Sequence, residues 1–317
     1  MQNQHLKMEF SKKARELIHE QVSDWDLATK NYASLKKVRV KTFYFENYQI
    51  DIQFNPERIV SSSAKLDAQS IEARPCFLCQ KNLPVQQRSL AFNDDYLVLV
   101  NPFPIFPEHL TIPARCHSDQ LIAENFGNML DLAAGLTDFV IFYNGPKCGA
   151  SAPDHLHFQA GIKGFLPIGK DFLNRKCCID IRRLSGVNIF HWPDYQRGII
   201  TLKGKIKSGL IECFSNIYSE LAKFQPHETE PMLNILATFD HGEWIIHIIP
   251  RTLHRPSHYF ETGQRQILLS PASVDMGGVM ITPREEDFIK IMAMDVTAIF
   301  GQVTLPSATI LHLINQL

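Results

Sequence analysis

The stretch from Asn144 to Ala160, NGPKCGASAPDHLHFQA, decides how this chain is read. Gly145, Gly149, Ala150 and Ser151 form a turn with little side-chain bulk, so backbone N–H groups can approach an anion closely. His155-Leu156-His157-Phe158-Gln159 then alternates polar with apolar, the period of a strand with its polar groups on one face. An anion-cradling turn that feeds a strand bearing two imidazoles and an amide is the layout needed for attack on a phosphoryl group. Imidazole is mostly neutral at cellular pH and nucleophilic without a separate activating base.

Upstream, ARPCFLCQKN carries Cys76 and Cys79. A Cys-x-x-Cys turn places two thiolates where they can share one metal ion, which is half of a tetrahedral zinc site. The other half is not a second such motif. A redox dithiol and a pair of ordinary cysteines are the competing readings. A thioredoxin-type motif belongs at the start of a helix after a strand, whereas Pro75 and Asn82-Leu83-Pro84 make this a loop.

The 144–160 stretch resembles the active-site segment of the histidine triad superfamily. Within it, the similarity is to the nucleotidyltransferase branch typified by galactose-1-phosphate uridylyltransferase, which carries His-x-His-x-Gln after a Gly-x-Ser turn. The resemblance implies that His157 is the nucleophile of a covalent nucleotidyl-histidine, that Gln159 hydrogen-bonds the phosphoryl oxygens, and that Ser151 contacts the leaving phosphate. Ala152, Pro153 and Asp154 separate Ser151 from His155, one residue more than in the uridylyltransferases. The resemblance further implies a structural zinc held by Cys76, Cys79, His117 and His155, with no open position for substrate. It places Asn101 and His109 along the nucleotide pocket, with Phe103 or Phe106 over a base; an ordinary Pro-rich strand connection is the alternative. Asn144, Lys147 and Gly149 fall at the phosphate turn, where Lys147 either neutralises the departing phosphate or is a solvated surface lysine. Diadenosine tetraphosphate phosphorylases share the His-x-His-x-Gln segment, and the CFLC motif tilts the reading to the uridylyltransferase side.

A lone histidine on an apolar strand reads as an inert, hydrogen-bonded core residue. Here Gln159, the Gly/Ser turn and the strand pattern agree on catalysis. The substrate-facing nitrogen must be unprotonated, so the other ring N–H should donate to a backbone carbonyl. Gln159 can donate to a phosphoryl oxygen as charge shifts there, but it cannot shuttle a proton. Transfer to a phosphate-bearing acceptor is therefore expected over hydrolysis.

The remaining chain supports a two-part α+β organisation. With 317 residues, 45% hydrophobic and 21% charged, it can bury one large core or two ordinary ones. A net charge of −1 gives no general attraction to nucleic acid or an anionic membrane. Seven scattered cysteines, the absence of an apolar run of membrane-spanning length and a start unlike a secretory signal lead to the expectation of a cytoplasmic protein. Residues 7–36 read as helical, 38–54 as a hairpin turning at Glu46-Asn47, and Ser61–Ser63 with Pro75 as brackets of a loop. YLVLVNPFPIF and HLTIPARCH read as strands, and 118–142 as a helix capped by Ser118 with Asp119 in its first turn. NIFHWPDY and RGIITLKG, a helix over 207–224, MLNILATFD and EWIIHIIPR repeat that order. Thr282-Pro283-Arg284-Glu285 reads as a capping box opening a terminal helix.

Two half-domains follow as an expectation: a catalytic one over 1–170 with a helical extension, and a degenerate one over 171–317. In the second, His247 is present but Ile249 stands where the first half has His157, so it cannot run the same chemistry; a second ligand for an iron site is likewise missing. The run Arg251, His254, Arg255, His258 and Arg265 is either a phosphate site or a solvated face. The expected partners are a nucleotide or nucleotide-sugar substrate and a phosphate-bearing acceptor, with a homodimer carried over from the family. A zinc-stabilised module that binds nucleotide without turnover is the non-enzymatic alternative.

Overall fold

A computed structural model describes residues 2–59, 71 and 73–317; the expected loop boundary at Ser61–Ser63 lies outside the described residues. Its centre is a ten-stranded sheet. The strands are β3 (Ser89–Phe92), β4 (Tyr96–Val100), β5 (His109–Pro113), β6 (Phe139–Asn144), β7 (His157–Ile162), β8 (Ile179–Leu184), β9 (Val187–His191), β10 (Ile200–Gly204), β11 (Leu233–Asp240) and β12 (Glu243–Pro250). They lie in the order β3-β4-β5-β7-β6-β11-β12-β10-β9-β8, and every neighbouring pair is antiparallel. The order reads the same from either edge: a three-strand meander, a helix, then two strands whose second returns beside the third. The halves meet where β6 pairs with β11 through Phe142↔Leu236.

Two layers cover the sheet. On one face lie α1 (Gln2–Asp24), α2 (Asp26–Ser34), α3 (Phe126–Gly135), α4 (Lys207–Phe224) and α5 (Ser307–Gln316). The crossover helices α3 and α4 stack Phe126 on Phe214, with ring centroids 3.9 Å apart and planes 8° from parallel. In α4 the buried Leu210, Cys213, Ile217 and Leu221 recur at the 3.6-residue period, as expected from the sequence. The other face packs under a small sheet in which β1 (Arg39–Tyr44) pairs antiparallel with β2 (Gln49–Phe54), and β2 pairs parallel with β13 (Val279–Thr282). Helices Pro167–Asn174 and Ala293–Val303 complete that layer.

Three local expectations are corrected. The helical span 7–36 breaks at Trp25, whose extended backbone caps α2 and whose indole is buried. The helix expected over 118–142 is only Phe126–Gly135, and Phe139–Asn144 is strand β6. All six residues of β6 are buried, so the strand faces core on both sides and loses the alternation that would mark it. Ser118 caps nothing; its carbonyl accepts from Leu156 N at 2.6 Å. Thr282 ends β13 rather than starting a helix, and its hydroxyl donates to the Gln53 carbonyl at 3.2 Å. The following helix begins at Glu285 and stops at Lys290, so the C-terminal region is three short helices. Among the described residues no helix is long and apolar enough to cross a membrane.

Candidate active site

Twelve residues, Gly145–Leu156, connect β6 to β7, and the second half of the chain holds them in place. Gly149 has φ +97°, and a Cβ there would meet Ala272 Cβ at 2.5 Å, so only glycine fits. Asn144 Oδ1 accepts from Asn234 Nδ2 at 2.9 Å, Ser273 N at 2.8 Å and Ser273 Oγ at 2.7 Å. Asn234 Nδ2 also donates to the Cys148 carbonyl at 2.8 Å, while its oxygen accepts from Arg251 Nη1 at 2.6 Å. Arg251 is wholly buried and spends its other donors on the carbonyls of Val303, Pro271, Leu253 and His254. Asn144 Oδ1 and the whole Arg251 guanidinium thus lock the turn, because a buried polar group must find its partners inside the protein. Lys147 is 63% exposed and paired with Glu228 at 2.7 Å. The rest of the basic run is dispersed, with Arg255 on Ser270 and over the Tyr259 ring, and Arg265 on Glu261.

On β7, His157 and Gln159 point to the face opposite the helices. The His157 backbone N–H donates to Gln120 Oε1 at 2.7 Å, and its ring Nδ1 lies 2.8 Å from the His155 carbonyl. A carbonyl can only accept, so Nδ1 carries the proton and Nε2 is left with its lone pair. Burial pushes the ring's pKa down to about 4. The ring is therefore unprotonated at neutral pH.

Gln159 is oriented by a relay behind it. Ile105 N–H donates to His109 Nδ1 at 3.2 Å, which puts the His109 proton on Nε2. That Nε2–H donates to Gln159 Oε1 at 3.0 Å, and Asn101 Nδ2 donates to the same oxygen at 3.3 Å. With its oxygen so occupied, Gln159 presents its NH₂ group forward. His109 is fully buried, and burial together with the nearby Arg58 guanidinium lowers its pKa to about 3. Asn101 and His109, expected along the nucleotide pocket, thus set their side chains against Gln159. Asn101 Oδ1 is also taken, by Phe103 N at 2.9 Å. Phe106 is buried against Gly161 and covers no base, whereas Phe103 is partly exposed.

Cys76, Cys79, His117 and His155 come together, their ligand atoms all within 4.8 Å of one another. His155 Nδ1 lies 3.2 Å from Cys76 Sγ, 3.6 Å from Cys79 Sγ and 3.2 Å from His117 Nδ1; Cys79 Sγ and His117 Nδ1 are 3.2 Å apart. A tetrahedral zinc with two sulfur and two nitrogen ligands has edges of roughly 3.3–3.8 Å, which these separations approach. On its far side His155 Nε2 sits 2.8 Å from the Ala114 carbonyl, so it holds the proton and turns a bare Nδ1 into the cluster. The donor set fits a metal ion.

Sequence reasoning missed three side chains. Gln120 is fully buried and grips both strands, accepting from His157 N and donating to the carbonyls of His157 and Asn144, each at 3.0 Å. Arg74 pairs with Asp154 at 3.0 Å and reaches the Ser151 carbonyl at 3.5 Å, tying the cysteine loop to the turn. Arg58 donates to the Phe103 carbonyl at 2.9 Å, beside the relay. No motif marks any of them; their roles come from tertiary proximity. Ser151 itself is partly exposed.

The doubled strand order, with the segment from His155 to Gln159 leading into β7, is a fold shared with a solved dinucleoside polyphosphate phosphorylase. Yeast Ap4A phosphorylase Apa2 superposes with a TM-score of 0.61 at 17% identity, over 92% of this chain and 94% of that one. Its complex with Ap4A gives the same TM-score at 18% identity, over 92% and 97%. A GalT-like protein from Arabidopsis thaliana overlaps loosely, with a TM-score of 0.37 at 15% identity over 84% and 99%. Residues 17–162 match a family described as a domain of unknown function, DUF4922. No curated protein matches the sequence.

Proposed function

We propose that the chain transfers a nucleotidyl group in two steps through His157, from a dinucleoside polyphosphate or nucleotide sugar to a phosphate-bearing acceptor. In the first step the Nε2 lone pair attacks the α-phosphorus, a P–N bond forms, and the anhydride P–O bond breaks with its electron pair leaving on the departing phosphate. In the second step an acceptor phosphate oxygen attacks, the P–N bond breaks, and the lone pair returns to Nε2. The ring gains positive charge in the intermediate, and the Nδ1–H bond to the His155 carbonyl stabilises it. The forward-facing Gln159 NH₂ donates to the phosphoryl oxygen as negative charge builds there. Ser151 and the turn amides receive the leaving phosphate. A zinc ion at Cys76, Cys79, His117 and His155 would be structural: all four positions are filled by protein, and its work is to fix the residue two places before the nucleophile.

One observation carries this reading: Nδ1 is tied to a carbonyl so that Nε2 is bare, with an amide oriented beside it by its own relay. The fold shared with yeast Ap4A phosphorylase, whose complexes hold Ap4A and AMP, supports a nucleoside polyphosphate as donor. The test is incubation with α-³²P-labelled Ap4A or nucleotide sugar followed by a rapid quench. An acid-labile, base-stable protein adduct that disappears in His157→Gly is expected. Tight reversible binding with no adduct would instead make the chain a nucleotide-binding module.

A further inference from the structure

The strand register contains an internal two-fold axis, and it lands on a second cleft. Thr111, Gln159, Phe142, Leu236, His247 and Thr201 form one row across six adjacent strands. An axis through the Phe142↔Leu236 pair exchanges Thr111 with Thr201 and Gln159 with His247. Two residues along, it exchanges the pair Pro113↔His157 with the pair Lys203↔Ile245. Two further, Glu243 answers His155. Because the axis stands perpendicular to the sheet, the counterpart of the His157 site lies on the same face at the opposite end.

A cavity of about 700 Å³ opens there, lined by Lys203, Lys205, Glu243, Phe190, Arg175 and Arg183 among others. That is within the range of small-molecule sites. The lining holds four cations and two carboxylates. Glu243 serves both lysines, at 3.0 Å to Lys203 and 3.9 Å to Lys205, and the second carboxylate, Asp180, accepts from Asn188 at 2.7 Å. Arg175 and Arg183 have no carboxylate partner among the described residues. Arg175 lies over the rings of Phe172 and Phe190, its Cζ 4.2 and 4.4 Å from their centroids, which fixes where its N–H edge points.

We propose that this cleft is a second binding site, for a phosphate-bearing small molecule of nucleotide size held without chemistry. The surplus positive charge and the pre-set guanidinium suit phosphate oxygens. Ile245, not the Ile249 expected from the sequence, occupies the position of His157, because the register sets His247 opposite Gln159; no covalent intermediate can form there, and the twelve-residue turn of the first half is reduced to His241-Gly242. The ligand is bound and released unchanged.

The test uses the full chain carrying His157→Gly, which removes turnover, and follows ADP binding by isothermal titration. The expected result is an ADP-binding event that inorganic pyrophosphate displaces and that Arg183→Glu with Lys205→Glu weakens about tenfold or more. Adduct formation at an intact His157 should be unchanged by the same two substitutions, which keeps the two sites' outcomes separate. No ADP binding, or ADP binding indifferent to the charge reversal, overturns the proposal.

Discussion

β7 and β12 occupy equivalent places in the two halves of one sheet, and both carry histidine on the same face, yet their surroundings differ. His157 begins β7 beside the turn, with Nδ1 on a carbonyl and Nε2 unengaged. His247 lies mid-strand, its Nδ1 2.8 Å from a Thr201 hydroxyl whose oxygen accepts from Trp192 Nε1, with Phe172 and Trp192 against its ring. Burial pushes its pKa down to about 3. The hydroxyl oxygen takes the tryptophan proton, so its own proton is free to go to His247 Nδ1, which leaves that ring's proton on Nε2, whereas the carbonyl against His157 keeps the proton on Nδ1 and leaves Nε2 bare. A shared scaffold thus holds, in one half, an imidazole with a bare Nε2, which is the proposed nucleophile, and, two positions further along the equivalent strand of the other half, a core histidine. The deciding parts are the connecting loop and what the ring's Nδ1 meets.

The largest test of that contrast is to remove each histidine in turn. His157→Gly should abolish the labelled adduct and cut turnover on the order of 10⁴-fold or more, as loss of a covalent nucleophile does. His247→Ala should leave the adduct intact and instead cost roughly 2–4 kcal/mol of stability through the cavity it opens, read by chemical denaturation. A His247→Ala protein that folds with normal stability but forms no adduct would break the comparison.

How much of this the sequence could disclose depends on the range of each interaction. His155, His157 and Gln159 are legible because a strand's period lines them up within five residues, and α4 is legible because its apolar stripe is regular. Strand β6 is not, since burial on both faces erases its pattern. The neighbours of Asn101, His109 and Asn144 are hidden in the sequence for another reason. Whether an amide faces a ligand or a neighbouring strand is decided by partners such as Ser273 and Asn234, 129 and 90 residues from Asn144 in the chain. Gln120 and the cleft at Lys203 are equally tertiary, visible only once strands are placed side by side.

The metal cluster belongs to the first half alone among the described residues, so its loss should act unevenly. Purified protein should contain one zinc per chain, and Cys76→Ser should lose it. The expected cost is several kcal/mol, because metal binding to a closed site is coupled to folding. Hydrogen exchange should rise around 76–82 and 114–157 while β11 and β12 stay protected. Uniform loosening of both halves, or a metal-free protein of full stability, would count against a structural zinc confined to one half.

A smaller catalytic effect isolates the relay behind β7. Gln159→Ala should lower kcat by about 10²–10³-fold, the usual cost of one donor to developing oxyanion charge. His109→Phe should lower it too, with Gln159 present but free to rotate, and its effect should not add to that of Gln159→Ala. Additive losses would mean that His109 acts on substrate directly.

The smallest expected effect lies where the halves meet. Glu230 is buried just before β11, with Oε2 accepting from Ile122 N and Oε1 lying near the Tyr143 hydroxyl, each at 2.6 Å. Tyr143 also lies 2.9 Å from the Gln120 carbonyl, which only accepts. One hydroxyl proton cannot serve both oxygens, so the complete network needs Glu230 protonated and donating to Tyr143. Burial raises its pKa from 4.5 to about 7, in the same sense. An acid whose folded pKa is raised binds its proton more tightly in the native state, so the native state is favoured below pH 4.5 and that advantage is lost as pH rises to about 7. At 1.36 kcal/mol per pH unit the loss is roughly 3 kcal/mol. Asp275, raised by burial to about 6, contributes in the same direction, so the measurement must be differential. Unfolding free energies of the parent and Glu230→Gln should diverge between pH 4.5 and 7.5, the amide variant losing less. Parallel curves would mean that Glu230 is ionised throughout, and that the Gln120 carbonyl behind His157 is held by something other than a proton shared across the two halves.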